Sequence, residues 1–297
     1  MIEVKNLVKR FGGFTALDNL SFNVEKGSVY GLVGPNGAGK STVIRHLTGI
    51  YRQDSGEVLI DGQSVYENPE IKQRIAYIPD EIFFFIQAST RDMMNFYRGI
   101  YPRFDTKLYE KLGKIFEFDE KRPMRQLSKG MQKQSAFRLA VSMRPDVLIL
   151  DEPVDGLDPV MRRQVWSIIM NDVSERGTTV LVSSHNLREL EDVCDHVGIL
   201  HNGRLLLQRS LSELQDNIAK VQLVLPEGKT LPEDFGAIHQ SSSGRVLTLI
   251  MRGSNEHISQ KVAALNPIFF DLVPLTLEEI FIYELGGVDY EVREILL

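Results

Sequence analysis

Apolar and polar positions near the N-terminus alternate with a period of two. Ile2 to Val8 (IEVKNLV) predicts a half-buried strand, and Ser21 to Val24 (SFNV) a second short one. Ser28 to Val33 (SVYGLV) is almost wholly apolar and reads as a buried strand, followed by a helical pattern over Thr42 to Thr48. Gly56 to Ile60 (GEVLI) runs into the turn Asp61-Gly62, and Arg74 to Ile78 (RIAYI) is a strand stopped by Pro79. Residues 80 to 125 are rich in Phe, Tyr, Met and Lys at mostly helical spacing. Met131 to Met143 predicts a helix ended before Pro145.

Further on, Val147 to Leu150 (VLIL) and Thr179 to Ser183 (TVLVS) are short apolar runs of the parallel, doubly covered type. The helix predicted from Asp158 to Arg176 lies between them, as a right-handed crossover requires. Leu187 to Val193 reads as a helical pattern that carries Cys194 into the core. Val197 to Leu200, Asn202-Gly203 and Arg204 to Leu207 read as a hairpin. A boundary is placed at Asp216, giving domains 1–216 and 217–297. The second contains strands at Val221 to Leu225, Arg245 to Met251 and Ile268 to Leu272, with helices at Glu256 to Leu265 and Leu277 to Leu285. That pattern is a small α+β domain.

Composition narrows the classes. In 297 residues, 34 basic and 40 acidic side chains leave a net charge of −6, which argues against nucleic acid as the main partner. One cysteine excludes an internal disulfide and fits a reducing compartment. The N-terminus lacks a signal-peptide pattern, and no apolar run reaches the roughly 20 residues of a membrane span. The chain is expected to be soluble, with any membrane role supplied through a partner.

The candidate chemistry begins at Gly34-Pro35-Asn36-Gly37-Ala38-Gly39-Lys40-Ser41, which fits the phosphate-loop pattern between a strand and a helix. Its backbone N–H groups would cradle phosphates, together with Thr42 at the helix start. Lys40 would reach the β- and γ-phosphates, and the Ser41 hydroxyl would sit on Mg²⁺. A chance Gly-rich turn is the competing reading. About 110 residues later, the strand VLIL ends in Asp151-Glu152. Asp151 would hold Mg²⁺, directly or through water, and Glu152 would polarise the attacking water. The same two carboxylates would also suit a helix start.

With Leu127-Ser128-Lys129-Gly130-Met131 opening a helix just upstream of Asp151, residues 1 to 215 resemble the nucleotide-binding subunit of an ATP-binding cassette (ABC) transporter. The resemblance implies an α/β P-loop NTPase fold with an antiparallel β-subdomain and a helical subdomain carrying the signature motif. It also implies ATP and Mg²⁺ as cofactors. The family's usual signature is Leu-Ser-Gly-Gly-Gln, so Lys129 and Met131 depart from it. These departures resemble the exporter branch with separately encoded membrane subunits, often called ABC-2, and within the family the chain resembles the YtrB-like subgroup. Ser128 and Gly130 would face a γ-phosphate, although Ser128 would equally serve as a plain N-cap.

Other positions carry roles by the same resemblance. Phe11 matches the aromatic that stacks on adenine, His185 the switch histidine on the γ-phosphate, and Asp158 the aspartate that communicates between subunits. A core Phe, a structural His and a bare turn are the plainer alternatives. After Pro79 the family has Gln or Glu; here Asp80 stands there, followed by Glu81. Asp80 is expected to link Mg²⁺ or the attacking water to the membrane subunit with a reach about 1.5 Å shorter, unless Glu81 substitutes or a water bridges. The Ile82-Phe83-Phe84-Phe85-Ile86 stretch, with Met93, Met94, Phe96, Tyr97 and Tyr101, reads as mostly core with an exposed minority that docks a partner.

One phosphate loop and one signature helix imply half a machine. In the family each ATP lies between the loop of one copy and the signature of another, so a second copy or a paralogous ATPase is expected, with integral membrane transporter subunits. The implied location is cytoplasmic, peripheral on the inner face of the cell membrane. A soluble ABC protein acting on ribosomes or DNA, and a regulatory switch with little turnover, are the other readings. The C-terminal domain resembles the extension of many ABC-2 ATPases, with Leu277, Ile280, Phe281 and Leu285 on one helical face.

Overall fold

A computed structural model describes residues 1–216, 218–232 and 234–285. Strands β1 (Ile2–Phe11) and β2 (Phe14–Val24) form an antiparallel hairpin closed by Gly12-Gly13, with Phe11 opposite Phe14. Both run further toward the turn than their apolar alternation suggests. β3 (Val29–Val33) is buried throughout and leads through the glycine loop into α1 (Lys40–Leu47). β4 (Ser55–Ile60) pairs with β1, and β5 (Gln63–Ser64) with β4, giving an antiparallel sheet of order β2-β1-β4-β5.

After α2 (Pro69–Lys72) and β6 (Ile75–Ile78) comes a helical stretch: α3 (Thr90–Ile100), α4 (Thr106–Leu112), one 3₁₀ turn at Met124–Gln126 and α5 (Lys129–Ser142). Each α-helix start here has a side-chain cap. Ser89 and Asp92 close a capping box, Asp105 caps α4 and Ser128 caps α5. The chain from 82 to 87 is not helical, contrary to the spacing. Ile82 and Phe84 turn inward against Met93, Met94, Tyr109, Met124, Leu127 and Leu139, while Phe83 and Phe85 stay exposed. That alternation is the period of extended chain.

The second half of the larger sheet follows: β7 (Val147–Asp151), α6 (Pro159–Arg176), β8 (Thr179–Ser184), α7 (Arg188–Glu191), β9 (His196–His201) and β10 (Arg204–Ser210). Strand order is β10-β9-β3-β8-β7-β6, and the pairs from β9 to β6 are all parallel. α1 lies between the two sheets: Val43, Ile44 and Leu47 share one core with Ile2, Leu17 and Ile60 on one side and Val147, Ile149 and Leu181 on the other. Cys194 is buried as expected, but α7 ends at Glu191, so the cysteine follows the helix rather than riding on it.

The described residues group into two compact units. One is 1–185 with 193–208; the other is 186–192 with the chain from 209 onward. The second unit holds α8 (Leu211–Asp216), β11 (Ile218–Val224), β12 (Ala237–Ser243), β13 (Val246–Arg252), α9 (Asn255–Ala263), β14 (Phe269–Val273) and α10 (Leu277–Leu285). Its antiparallel sheet, β12-β13-β11-β14, buries Val221, Leu223, Leu249 and Met251 against Ile258 and Val262 of α9. β12 was not expected: AIHQSSS is polar and mostly exposed, so only its pairing with β13 makes it a strand. Leu277 and Ile280 are buried, whereas the side chains of Phe281 and Leu285 lie outside the described residues.

Candidate nucleotide site

Parallel pairing brings the candidate residues to one edge. Val33 aligns with Ser184 and Asp151 with Ser183, so β3, β8 and β7 end together. The glycine loop leaves β3, His185 leaves β8, and Asp151-Glu152 leaves β7. Asp80 follows β6, whose Ile78 aligns with Leu150. The C-terminal edge of an open parallel sheet is where such folds bind ligands. With β8 between them and strands spaced about 4.8 Å apart, the loop and Asp151 face each other across about 10 Å.

The loop's shape depends on its glycines. A side chain on Gly34 would place Cβ 2.2 Å from the backbone oxygen of Leu200, so only glycine passes under β9. Gly39 has φ 111°, and a Cβ there would meet Leu17 and the Ala16 carbonyl. Gly39 offers no side chain to cap α1, so the first N–H groups of that helix remain available to an anion.

A cleft of about 420 Å³ opens at this edge, lined by Phe11, Phe14, Ala16, Pro35, Asn36, Gly37, Gly39, Lys40, Ser41, Thr42, Asp80, Asp151 and Glu152. Eleven of the expected residues therefore share one cleft. Gly34 and Ala38 lie behind it: Gly34 is packed under Leu200, and Ala38 is buried. Phe14 and Ala16 were not foreseen. Phe14 is 65% exposed and stands opposite Phe11 across the hairpin turn, outside every segment that the apolar pattern marks. Asp80 lines the cleft and Glu81 does not.

Charges in the cleft are already paired. Lys40 is buried and donates to the Gly34 carbonyl at 2.6 Å, and its Nζ lies 3.7 Å from Glu152 Oε1. Burial pushes its ammonium below the ordinary value, against the pull of Glu152 and Asp151. The other carboxylate oxygen of Glu152 lies 3.0 Å from His185 Nδ1 and 3.4 Å from the His185 N–H. Asp151 is buried and accepts from the Ser183 hydroxyl at 2.5 Å. Glu152 itself has φ 47°, in the left-handed region a glutamate rarely enters. Ligand atoms of Glu152, Asp155 and His185 fall within 4.8 Å of one another, a donor group separate from the expected Ser41, Asp151 and Asp80.

The remaining expected residues, His185 among them, do not line the cleft. Ser128 accepts from the Met131 N–H as the N-cap of α5, and a Cβ on Gly130 would approach the Gly156 carbonyl at 3.4 Å. Asp158 caps α6 through the N–H groups of Val160 and Met161, so the plain helix-start role is present whatever else it does. Sequence reasoning also passed over Lys133, a buried lysine whose Nζ donates to the Glu152 carbonyl at 2.8 Å. Its signal was there: Lys133, Phe137 and Ala140 share the inward face of α5.

Comparison with known proteins places the chain in a family. The ABC transporter family pattern matches residues 17–155. The ABC transporter ATP-binding protein YtrB of Bacillus subtilis is 33% identical over 290 residues, covering 97% of this chain and 99% of the relative. The bacitracin transport ATP-binding protein BcrA of Bacillus licheniformis is 30% identical over 309 residues, with 97% and 98% covered. The solved structure of an ATP-binding subunit of an ABC transporter superposes with a TM-score of 0.67 at 29% identity, covering 72% of this chain and 92% of that one. A phosphate loop, paired carboxylates at a strand end and full-length relatives of this kind leave one conclusion: this chain belongs to the ABC transporter family, as one of its ATP-binding, ATP-hydrolysing subunits.

Proposed function

We propose that this subunit hydrolyses Mg-ATP in a site completed by a second copy or a paralogue, and that the cycle drives separately encoded membrane subunits in export. The observation that carries the reading is the position of Glu152. Its carboxylate sits between Lys40 and His185 at the mouth of the cleft. Once a γ-phosphate takes Lys40, the freed carboxylate is placed to accept the proton of the attacking water. His185 would orient that carboxylate and sense the phosphate.

Ser41, Asp151 and Asp80 supply hydroxyl and carboxylate oxygens on the cleft wall, an all-oxygen set that suits Mg²⁺ better than the histidine-containing group beside it. Bound there, Mg²⁺ would neutralise charge on the β- and γ-phosphates. Lys40 and the loop N–H groups, from Gly34 to Thr42, would hold the phosphates. Phe11 would stack on the adenine, with Phe14 as a second ring.

Ser128 and Gly130 do not line the cleft of their own chain, which supports their action on the nucleotide of the partner, with Asp158 at the seam. In the division proposed, residues 1–216 carry this chemistry and 217–297 form an accessory domain. Among the described residues no helix is long and apolar enough to cross a membrane. The membrane step is therefore assigned to partners, with this chain at the inner face of the cell membrane. The exposed Phe83, Phe85, Ile86 and Phe96 supply apolar surface for that docking. Relatives named for lantibiotic and bacitracin transport support the export reading.

Phosphate release by the purified chain, with and without its co-expressed membrane partner, tests the reading. Turnover that disappears in Glu152→Gln, with an ATP-dependent shift to dimer on size exclusion, is expected. A chain that binds ATP but never turns it over, even with the partner, would favour the switch reading instead.

A further inference from the structure

We infer that Lys133 is a positioning residue that ties Asp80 and the Glu152 peptide to the signature helix of its own chain; this rests on the proposed roles of Asp80 and Glu152. Lys133 is 6% exposed. Its Nζ donates to the Glu152 carbonyl at 2.8 Å and lies 3.4 Å from Asp80 Oδ1, in hydrogen-bonding and ion-pairing range. A buried ammonium without partners is strongly disfavoured, so Lys133 and these two groups must keep together as the structure moves.

Each partner has something to gain. Glu152 holds a left-handed backbone conformation at φ 47°. Such a conformation persists only where surrounding bonds over-determine it. Its N–H bonds the Ser183 carbonyl at 3.2 Å on one side of the residue, and its carbonyl receives Lys133 on the other. Asp80 is otherwise open: its side chain is 56% exposed, and Lys133 is the cation that pairs with it among the described residues. A carboxylate of short reach is thus held at the cleft by a lysine from below. Lys133 also stands five residues after Ser128 on the same helix. Any shift of that helix start, where Ser128 would meet the partner's nucleotide, is carried through Lys133 to Asp80 and Glu152 of its own cleft. The two sites of a dimer would then communicate through one ammonium in each copy.

The test uses the full chain with Lys133→Gln and Lys133→Met, the second keeping bulk without a polar end, together with Lys133→Arg, Asp80→Asn and the Lys133→Gln/Asp80→Asn pair. Three quantities are read: Mg-ATP turnover, affinity for a fluorescent ATP analogue, and melting without nucleotide. Loss of the ammonium should lower kcat about tenfold or more while KM and analogue affinity stay within about threefold, and arginine should recover at least about a third of the rate. In nucleotide-free melts the double variant should lose less than the sum of its singles. Near-normal kcat in either uncharged variant overturns the inference. So does a parallel loss of affinity and turnover, failure of arginine to exceed glutamine, or additive melts. If one uncharged variant does not fold, the other decides. A wild-type chain without ATPase activity would sink the functional reading, while the nucleotide-free melts would still judge the Lys133 contact.

Discussion

Glu152→Gln is expected to separate ATP binding from hydrolysis, and the Lys40 contact bounds the binding effect. Lys40 Nζ lies 3.7 Å from Glu152 Oε1, with the side chains only 7% and 12% exposed. At an effective dielectric of about 20, that distance corresponds to an attraction of about 4 kcal/mol, the ceiling on what a phosphate must displace. The net figure is smaller. The Gly34 carbonyl still satisfies Lys40 at 2.6 Å, and the displaced carboxylate regains water. A net release of about 1–2 kcal/mol would tighten ATP binding by about 5–30-fold. Removing the base should meanwhile cut kcat by about 10²–10⁴-fold. A fluorescent ATP analogue titrated into wild type and variant, with single-turnover phosphate release in parallel, measures both. Weaker binding in the variant would refute the picture of Glu152 as competitor for Lys40. Turnover within about threefold of wild type would refute the base, since such a loss lies far below the range for removing one.

Other expectations follow from single contacts. Phe11→Ala and Phe14→Ala should each raise KM for ATP, by up to about 1–3 kcal/mol for a ring that stacks on the base, with kcat nearly unchanged; a Phe14→Ala chain with normal KM would make that ring part of the hairpin only. Gly34→Ala should lower the melting temperature even without nucleotide, because its Cβ would fall 2.2 Å from the Leu200 carbonyl oxygen. Asp146 gives the pH dependence. Burial acts against its charge, yet hydrogen bonds from Arg103 and Arg74 hold its carboxyl below the ordinary range. Its folded pKa is depressed, so the stabilisation is present above the unfolded value of about 3.9 and fades as pH falls through the lower folded value. Asp146→Asn should therefore melt lower than wild type at pH 7 and lose less on going from pH 5 to pH 3; parallel melting curves across that range would exclude the pairing.

The sequence was most legible where one residue type has one physical use. The glycine loop, the buried run VLIL before two carboxylates and the N-caps at Ser128 and Asp158 all stand where the spacing puts them. Segments whose state depends on a neighbour were not legible. β12 has no apolar pattern and exists through β13. The 82–87 segment looked helical because both of its faces carry rings, one packed inward and one exposed. Among site residues, Phe14 was missed for a similar reason, since a Phe beside a hairpin turn is ordinary until the fold shows what it faces, whereas Lys133 left a signal in its place on the apolar face of α5.

The strained backbone at Glu152 links these observations. A residue that leaves a buried strand at φ 47° turns its side chain away from the path of β7 and toward the glycine loop. That turn brings Lys40 and His185 within reach of one carboxylate, and it presents the Glu152 carbonyl to Lys133. Four segments, the loop after β3, the end of β7, the end of β8 and α5, therefore meet at one residue. On the proposed reading, an incoming γ-phosphate would compete for Lys40 and unbalance all three contacts together. A group that only had to polarise water would need none of this connectivity. The connections suit the proposed cycle, in which loss of one phosphate would be felt in the helical part of the same chain.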